Sequence, residues 1–141
     1  MAIETEDRTE TGPTAYGRKQ TLVALVFGAV LAVVGIVAPV LGGAESELFG
    51  LFGRNYLHDA IHVLTGVLGL VAGVVAGGRS AVAYNRYLGA VYLLVFALGA
   101  VILLAGLTGL AGLINLNWAD NGLHLLLGGV LAGVGFRLGS R

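Results

Sequence analysis

Four long apolar runs separated by short polar segments set the pattern of this chain. Residues 21–41 carry no charged side chain and match the roughly 20 residues a helix needs to cross a bilayer. Pro39 falls near the end of that run, where a lost helical hydrogen bond costs least. Residues 42–54 form a connection containing Glu45, Glu47 and Arg54. Its Leu48, Phe49, Leu51 and Phe52 predict that it lies on the membrane surface. Residues 56–77 are the second predicted span, 88–110 the third and 118–136 the fourth. A short turn with Arg79, Asn85 and Arg86 joins the second to the third, and a tight link through Asn115 and Asn117 joins the third to the fourth. Residues 1–20 are polar, contain the breaker Thr11-Gly12-Pro13-Thr14, and read as a flexible acidic tail. The pattern predicts an all-α fold: an integral membrane four-helix bundle over residues 21–141.

The second and fourth runs are not uniformly apolar. The stretch Asn55-Tyr56-Leu57-His58-Asp59-Ala60-Ile61-His62 holds two of the chain's three histidines. Sixty-two residues on comes Asn117-Trp118-Ala119-Asp120-Asn121-Gly122-Leu123-His124. Setting residues 48–79 against 110–141 gives ten identities in 32 positions, of which Asn55/Asn117 and His62/His124 weigh most because those types are rare here. The first and third runs align through Leu25-Val26-Phe27 and Leu94-Val95-Phe96 at an offset of 69, which predicts a longer first outer loop. Two spans per copy predict two parallel-related helical hairpins, with an axis along the membrane normal.

Helical spacing puts Asn55, His58, Asp59 and His62 on one stripe and Asn117, Asp120, Asn121 and His124 on another. A charged group at the centre of a membrane helix costs about 2.5–3.5 kcal/mol on the insertion scale, so both stripes are expected to face the bundle interior. His62 and His124 then lie at similar depth, with His58 and Asp120 one turn nearer the outer face. Two readings follow. In the first, the cluster staples helices together in a non-enzymatic structural or partner component, through contacts of about 0.6–2 kcal/mol each. In the second, His58, His62, Asp120 and His124 bind a transition metal such as zinc, copper, iron or nickel, supported by Asn55, Asp59, Asn117 and Asn121. Haem held between His62 and His124 is a variant of the second. A complete proton conduit is not expected, since beyond Thr65 and Thr108 the inner half offers few polar groups.

Other chemistry is excluded by residue type. There is no cysteine, so no disulfide, thiolate site or thiol nucleophile. His58 and His62 stand four apart but lack the glutamate of His-Glu-x-x-His. Ser46 and Ser80 fall on opposite sides of the membrane and no Ser-His-Asp set forms. No strand precedes a glycine run, so no phosphate loop is expected. The 24 glycines include Gly69-x-x-x-Gly73 and Gly129-x-x-x-Gly133, read as tight packing inside the bundle, with a dimer interface as the alternative.

Only 11% of residues are charged, against about 25% in soluble domains, and the net charge is zero, which gives no reason to expect nucleic acid. The first apolar run begins late and exceeds a signal-peptide core of roughly 7–15 residues, so no cleavable signal is expected. Arg8, Arg18, Lys19, Arg79, Arg86, Arg137 and Arg141 share one side of a four-span arrangement, and only Arg54 takes the other. That bias predicts a multi-pass cell-membrane protein with both termini cytoplasmic. Tyr56 and Trp118 mark the outer interface, Tyr84 and Tyr87 the inner. The lipid bilayer is the expected partner, together with a homo-oligomer or a larger membrane complex.

The run Leu-Phe-Gly-Leu-Phe-Gly-Arg-Asn-Tyr-Leu-His-Asp-Ala-Ile-His-Val-Leu-Thr-Gly (48–66), the Tyr-Asn-Arg-Tyr-Leu-Gly segment (84–89) and Trp-Ala-Asp-Asn-Gly-Leu-His-Leu-Leu-Leu-Gly (118–128) carry a resemblance. The chain resembles the domain-of-unknown-function 4383 family of small prokaryotic four-span membrane proteins, over about residues 18–139. The resemblance implies that fold and place, and brings no activity with it. The tail and loops depart from the family pattern. The histidine and aspartate positions do not.

Overall fold

The computed structural model describes residues 15–42 and 45–137. Residues 1–14, with the acidic cluster and Arg8, and the terminal Arg141 lie outside the described residues. The elements are α1 (Ala15–Gly42), β1 (Glu45–Leu48), β2 (Phe52–Asn55), α2 (Tyr56–Val74), α3 (Ala81–Leu104), α4 (Thr108–Gly112) and α5 (Trp118–Ala132). A 3-10 turn, Val75–Gly78, follows α2, and a π turn, Gly133–Arg137, extends α5. Four helical segments are long and apolar enough to cross a membrane: Gly17–Gly42, Tyr56–Val74, Ala81–Leu104 and Trp118–Arg137. Their outward faces carry side chains fit for lipid, such as Leu22, Val33, Ile36, Leu64, Leu94, Leu98 and Leu126, all exposed.

Several boundaries differ from the sequence reading, each for a visible reason. The first helix begins inside the stretch read as tail, and Gln20 is wholly buried. The third begins at Ala81, because Asn85 and Arg86 find partners inside the bundle. Asn85 Nδ2 donates to Gln20 Oε1 (2.6 Å) and Gln20 Nε2 donates to Val134 O (2.7 Å). Arg86 Nε donates to Gly135 O (2.8 Å) and its guanidinium lies over Phe136. The third helix ends early, where Gly106 takes a positive φ of 65°. Tyr84 is not an interfacial ring: its hydroxyl reaches inward and donates to Thr65 O (3.1 Å). Tyr87 stays 75% exposed, as an interfacial residue does.

The connection read as lying on the membrane is a short antiparallel hairpin, with Glu47 paired to Gly53 and Leu48 to Phe52. Phe49 and Gly50 turn it through positive φ angles of 57° and 65°. Phe49 is 82% exposed, so the apolar tip, though not the whole segment, is presented outward.

The helices pack as two pairs, α1 along α2 and α3 along α5, with α1 also touching α3. Both seams close on glycine, where a Cβ would strike backbone. A Cβ on Gly28 would meet Leu70 N at 2.7 Å, and one on Gly89 would meet Ala132 N. One on Gly66 would meet Ala32 N and Gly28 O, and one on Gly128 would meet Leu93 N and Gly89 O. Gly73 faces Leu25 as Gly135 faces Arg86. Matching positions are thus 61 residues apart in α1 and α3 and 62 apart in α2 and α5. The offset of 69 read from Leu-Val-Phe lies about two turns from the 61 that relates these seam contacts. The segments between the helices of each pair, 43–55 and 105–117, are equally long. Of the two small-residue pairs, Gly69 and Gly73 lie in the α1–α2 seam, whereas Gly129 and Gly133 face open space.

Candidate functional site

At the loop end of the bundle the chain begins α2 and α5 in the same way. Asn55 caps α2, accepting from His58 N at 3.0 Å, and Asn117 caps α5, accepting from Asp120 N at 3.0 Å. Asparagine suits this place because its side-chain oxygen satisfies one of the free N–H groups of the first turn. Each asparagine then uses its amide nitrogen across the bundle. Asn55 Nδ2 donates to Leu113 O (3.0 Å), and Asn117 Nδ2 donates to Leu51 O (2.9 Å). Asn115 Nδ2 adds a bond to Arg54 O (3.2 Å). The two loop segments are thereby tied to each other as well as to their own helices.

The acidic residues are engaged in the same layer. Asp120 closes a reciprocal capping box by accepting from Asn117 N (3.2 Å), and the same oxygen, Oδ2, accepts from Gly53 N (2.9 Å). Gly53 permits this because a Cβ there would run into Asn115 O. Asp59 is gripped by Arg54, with Nε to Oδ2 at 3.0 Å and Nη2 on the same oxygen at 2.5 Å. The two side chains are 4% and 6% exposed. Hydrogen bonding to Asp59 holds the Arg54 guanidinium above its ordinary pKa, so Arg54 keeps its charge. The Arg54 guanidinium also sits over Tyr56, 5.9 Å from the ring centre.

The histidines are placed differently. His58 and His124 are 4% and 5% exposed, and His62 is partly buried. Ring centres are 4.5 Å apart for His58 and His62, and 6.1 Å for His58 and His124. His124 also lies 5.6 Å from Tyr92 of α3. The Nδ1 atoms of all three histidines are buried with no hydrogen-bond partner, as is the Tyr92 hydroxyl. Asn121 is wholly buried, but it packs against Gly99 of α3 and both ends of its amide are unpaired.

Two cavities flank the imidazoles. One, of about 190 Å³, lies between α1, the hairpin, α2 and α5, lined by His58, His62, Arg54, Asp59 and Asp120 and walled by apolar residues such as Val34 and Phe52. The other, of about 110 Å³, lies toward α3 and is lined by His58, His62, His124, Thr65 and Tyr92. Each is below the roughly 300 Å³ at which pockets for drug-sized ligands begin, so neither has room for a haem macrocycle.

The structure therefore turns both predicted stripes inward and brings His58, His62, His124 and Asp120 to one end of the bundle. It sets Asn121 against Gly99 of α3 and gives Asp59 to Arg54. Among the described residues no group of three or more His, Asp or Glu side chains already stands in position to hold a metal ion. Arg54, Gly53, Asn115 and Tyr92 are participants that sequence reasoning did not assign to the site. For Arg54 a signal existed: an aspartate in a span calls for a cation, and Arg54 is the one basic residue at that end among the described residues.

Four apolar helices with a buried polar layer at one end define a small multi-pass integral membrane protein. The chain belongs to the family described as Domain of unknown function (DUF4383), whose model matches residues 20–137. No curated protein and no solved structure matches the chain.

Proposed function

We propose that this is a non-enzymatic membrane component built from a duplicated hairpin, whose polar layer locks the two halves together at the outer face. One observation carries the reading. Asn55 bonds Leu113 while Asn117 bonds Leu51, and both partners of each bond are 62 residues from their counterparts. The matched glycine contacts of the two seams support the same duplication. A polar side chain in a membrane bundle holds its place best when its bonds are made inside the protein, and these bonds fix which loop meets which. Arg18, Lys19, Arg79, Arg86 and Arg137, at the opposite end from Arg54, support a cell-membrane orientation with both termini cytoplasmic.

The lock is tested by removing its parts. Asn55→Ala and Asn117→Ala each lose a helix cap, about 1 kcal/mol, and a cross-loop bond of similar size. Each is expected to lower unfolding stability by about 2 kcal/mol in bicelles. Asn55→Asp and Asn117→Asp keep the cap oxygen but lose the donor, and are expected to lose about half as much. If all four variants unfold like the wild type, the layer is not a lock.

A further inference from the structure

The asparagine lock makes no use of four buried polar groups. The Nδ1 atoms of His58, His62 and His124 and the hydroxyl of Tyr92 are buried and unpaired. All four residues line the 110 Å³ cavity toward α3. His58 and His62 also line the larger cavity, whereas His124 and Tyr92 line only the smaller of the two. His58, His124 and Tyr92 are 4%, 5% and 5% exposed, so bulk solvent does not serve them. Leaving such groups without partners costs their full desolvation.

We propose that this cavity binds a cluster of about three water molecules, which joins the three imidazoles and the Tyr92 hydroxyl into one hydrogen-bonded network. Volume sets the number, since 110 Å³ accommodates about three waters at roughly 30 Å³ each. The count of partners agrees. Three waters making about three hydrogen bonds each have about five bonds left for the protein if they form a chain, and about three if they close a ring. Four unpaired groups lie between those limits. Water both donates and accepts, as a neutral imidazole and a phenol do, so the cluster serves either tautomer of each ring.

The spacing calls for a bridge. Ring centres 6.1 Å apart keep the nitrogens of His58 and His124 beyond direct hydrogen-bond reach, a gap of the kind that water spans. Other walls of the cavity, including Leu88, Val95 and Ile114, are apolar and offer the waters no competing partners. Its edge at Ile61 and Val91 is exposed and apolar. An acyl chain entering there would leave all four polar groups unpaired. His58 and His62 come from the first helix pair, and Tyr92 and His124 from the second. The water cluster is thus a ligand shared by both halves, and a tie between them that the asparagine bonds do not supply.

The test uses the full-length protein in nanodiscs. Solid-state NMR with labelled histidine follows magnetisation from water protons to each imidazole nitrogen. X-ray pulses turn bound water into hydroxyl radicals, and mass spectrometry locates the side chains they oxidise. His124 and Tyr92 decide the matter, because neither lines the larger cavity. His124 is expected to receive magnetisation from water. Tyr92 is expected to be oxidised as readily as exposed Tyr87, and wholly buried Leu131 is expected to be spared. Tyr92→Phe, which keeps the ring, should slow the transfer to His124, and Val95→Phe, which fills the cavity, should abolish it. If Val95→Phe does not fold, the wild-type transfer still decides. No transfer to His124 and no oxidation of Tyr92, or transfer from acyl chains in place of water, overturns the site. So does full transfer in a folded Val95→Phe protein, since water then reaches the ring by another path. Asn55→Ala should leave the transfer intact, so the lock and the water site fail separately.

Discussion

The Arg54–Asp59 pair offers the sharpest test of how the polar layer is held. Its two side chains are 4% and 6% exposed, and Asp59 Oδ2 accepts from Arg54 Nε and Nη2, at 3.0 and 2.5 Å, while Oδ1 accepts from Nε at 3.3 Å. Unit charges about 4 Å apart attract by about 4 kcal/mol at an effective dielectric of 20. Much of that attraction offsets the desolvation of both groups, so the pair adds little net stability. Breaking it is another matter. Arg54→Met leaves Asp59 buried without its cation, and Asp59→Leu takes from the buried Arg54 its carboxylate. Each single change is expected to cost about 3–5 kcal/mol. The double variant removes both charges and is expected to lie within about 1 kcal/mol of the wild type. The coupling energy should therefore be several kcal/mol, where unconnected sites add to within about 0.5. Unfolding in mixed micelles, followed by the fluorescence of Trp118, the only tryptophan, provides the readout. Single variants costing less than about 1 kcal/mol, or a double variant equal to their sum, would refute the reasoning.

The glycine seams give a contrast. Gly66→Ala is expected to destabilise by about 1–3 kcal/mol, because its Cβ meets α1 backbone, whereas Gly122→Ala, in open space on α5, is expected to be neutral or to stabilise by up to about 1 kcal/mol. Thermal melts in detergent compare the two. At the other end of the bundle, Asn85→Leu takes away the donor that bonds the buried Gln20 Oε1 and is expected to cost about 1–3 kcal/mol. Adding Gln20→Leu should recover part of that loss in the same melt. Because the chain has no cysteine, Leu51→Cys and Ser80→Cys report orientation directly. An impermeant maleimide on intact cells should label the first and not the second, and the reverse pattern would invert the topology.

The spans were legible because lipid demands runs of about 20 apolar residues, and the chain supplies four of them. The polar stripes were legible because a charge in such a run has to turn inward. What was hidden depended on partners distant in sequence. Gln20 and Asn85 look like tail and turn residues by composition, and only their mutual bond, 65 residues apart, makes each a helix interior residue. The Leu-Val-Phe alignment of α1 with α3 rests on composition, whereas the glycines that close their seams, Gly28 and Gly89, stand 61 residues apart and are two among many. The place of Asp120 in the capping box and its bond to Gly53 were hidden because both need the folded loop. The hairpin escaped notice because Phe49 adopts a positive φ, a conformation that sequence gives little reason to expect of an aromatic residue.

The crossed asparagine bonds also set an order on biogenesis. When the first two helices enter the bilayer, the donor on Asn55 and the carbonyl of Leu51 have nothing to bind but water or headgroups, because Leu113 and Asn117 are not yet in place. A half-made chain is thus open at its loop-end rim, whatever the quality of its own helix seam. Closure waits for the last helix, and maturation of that rim is a single concluding event shared by both halves.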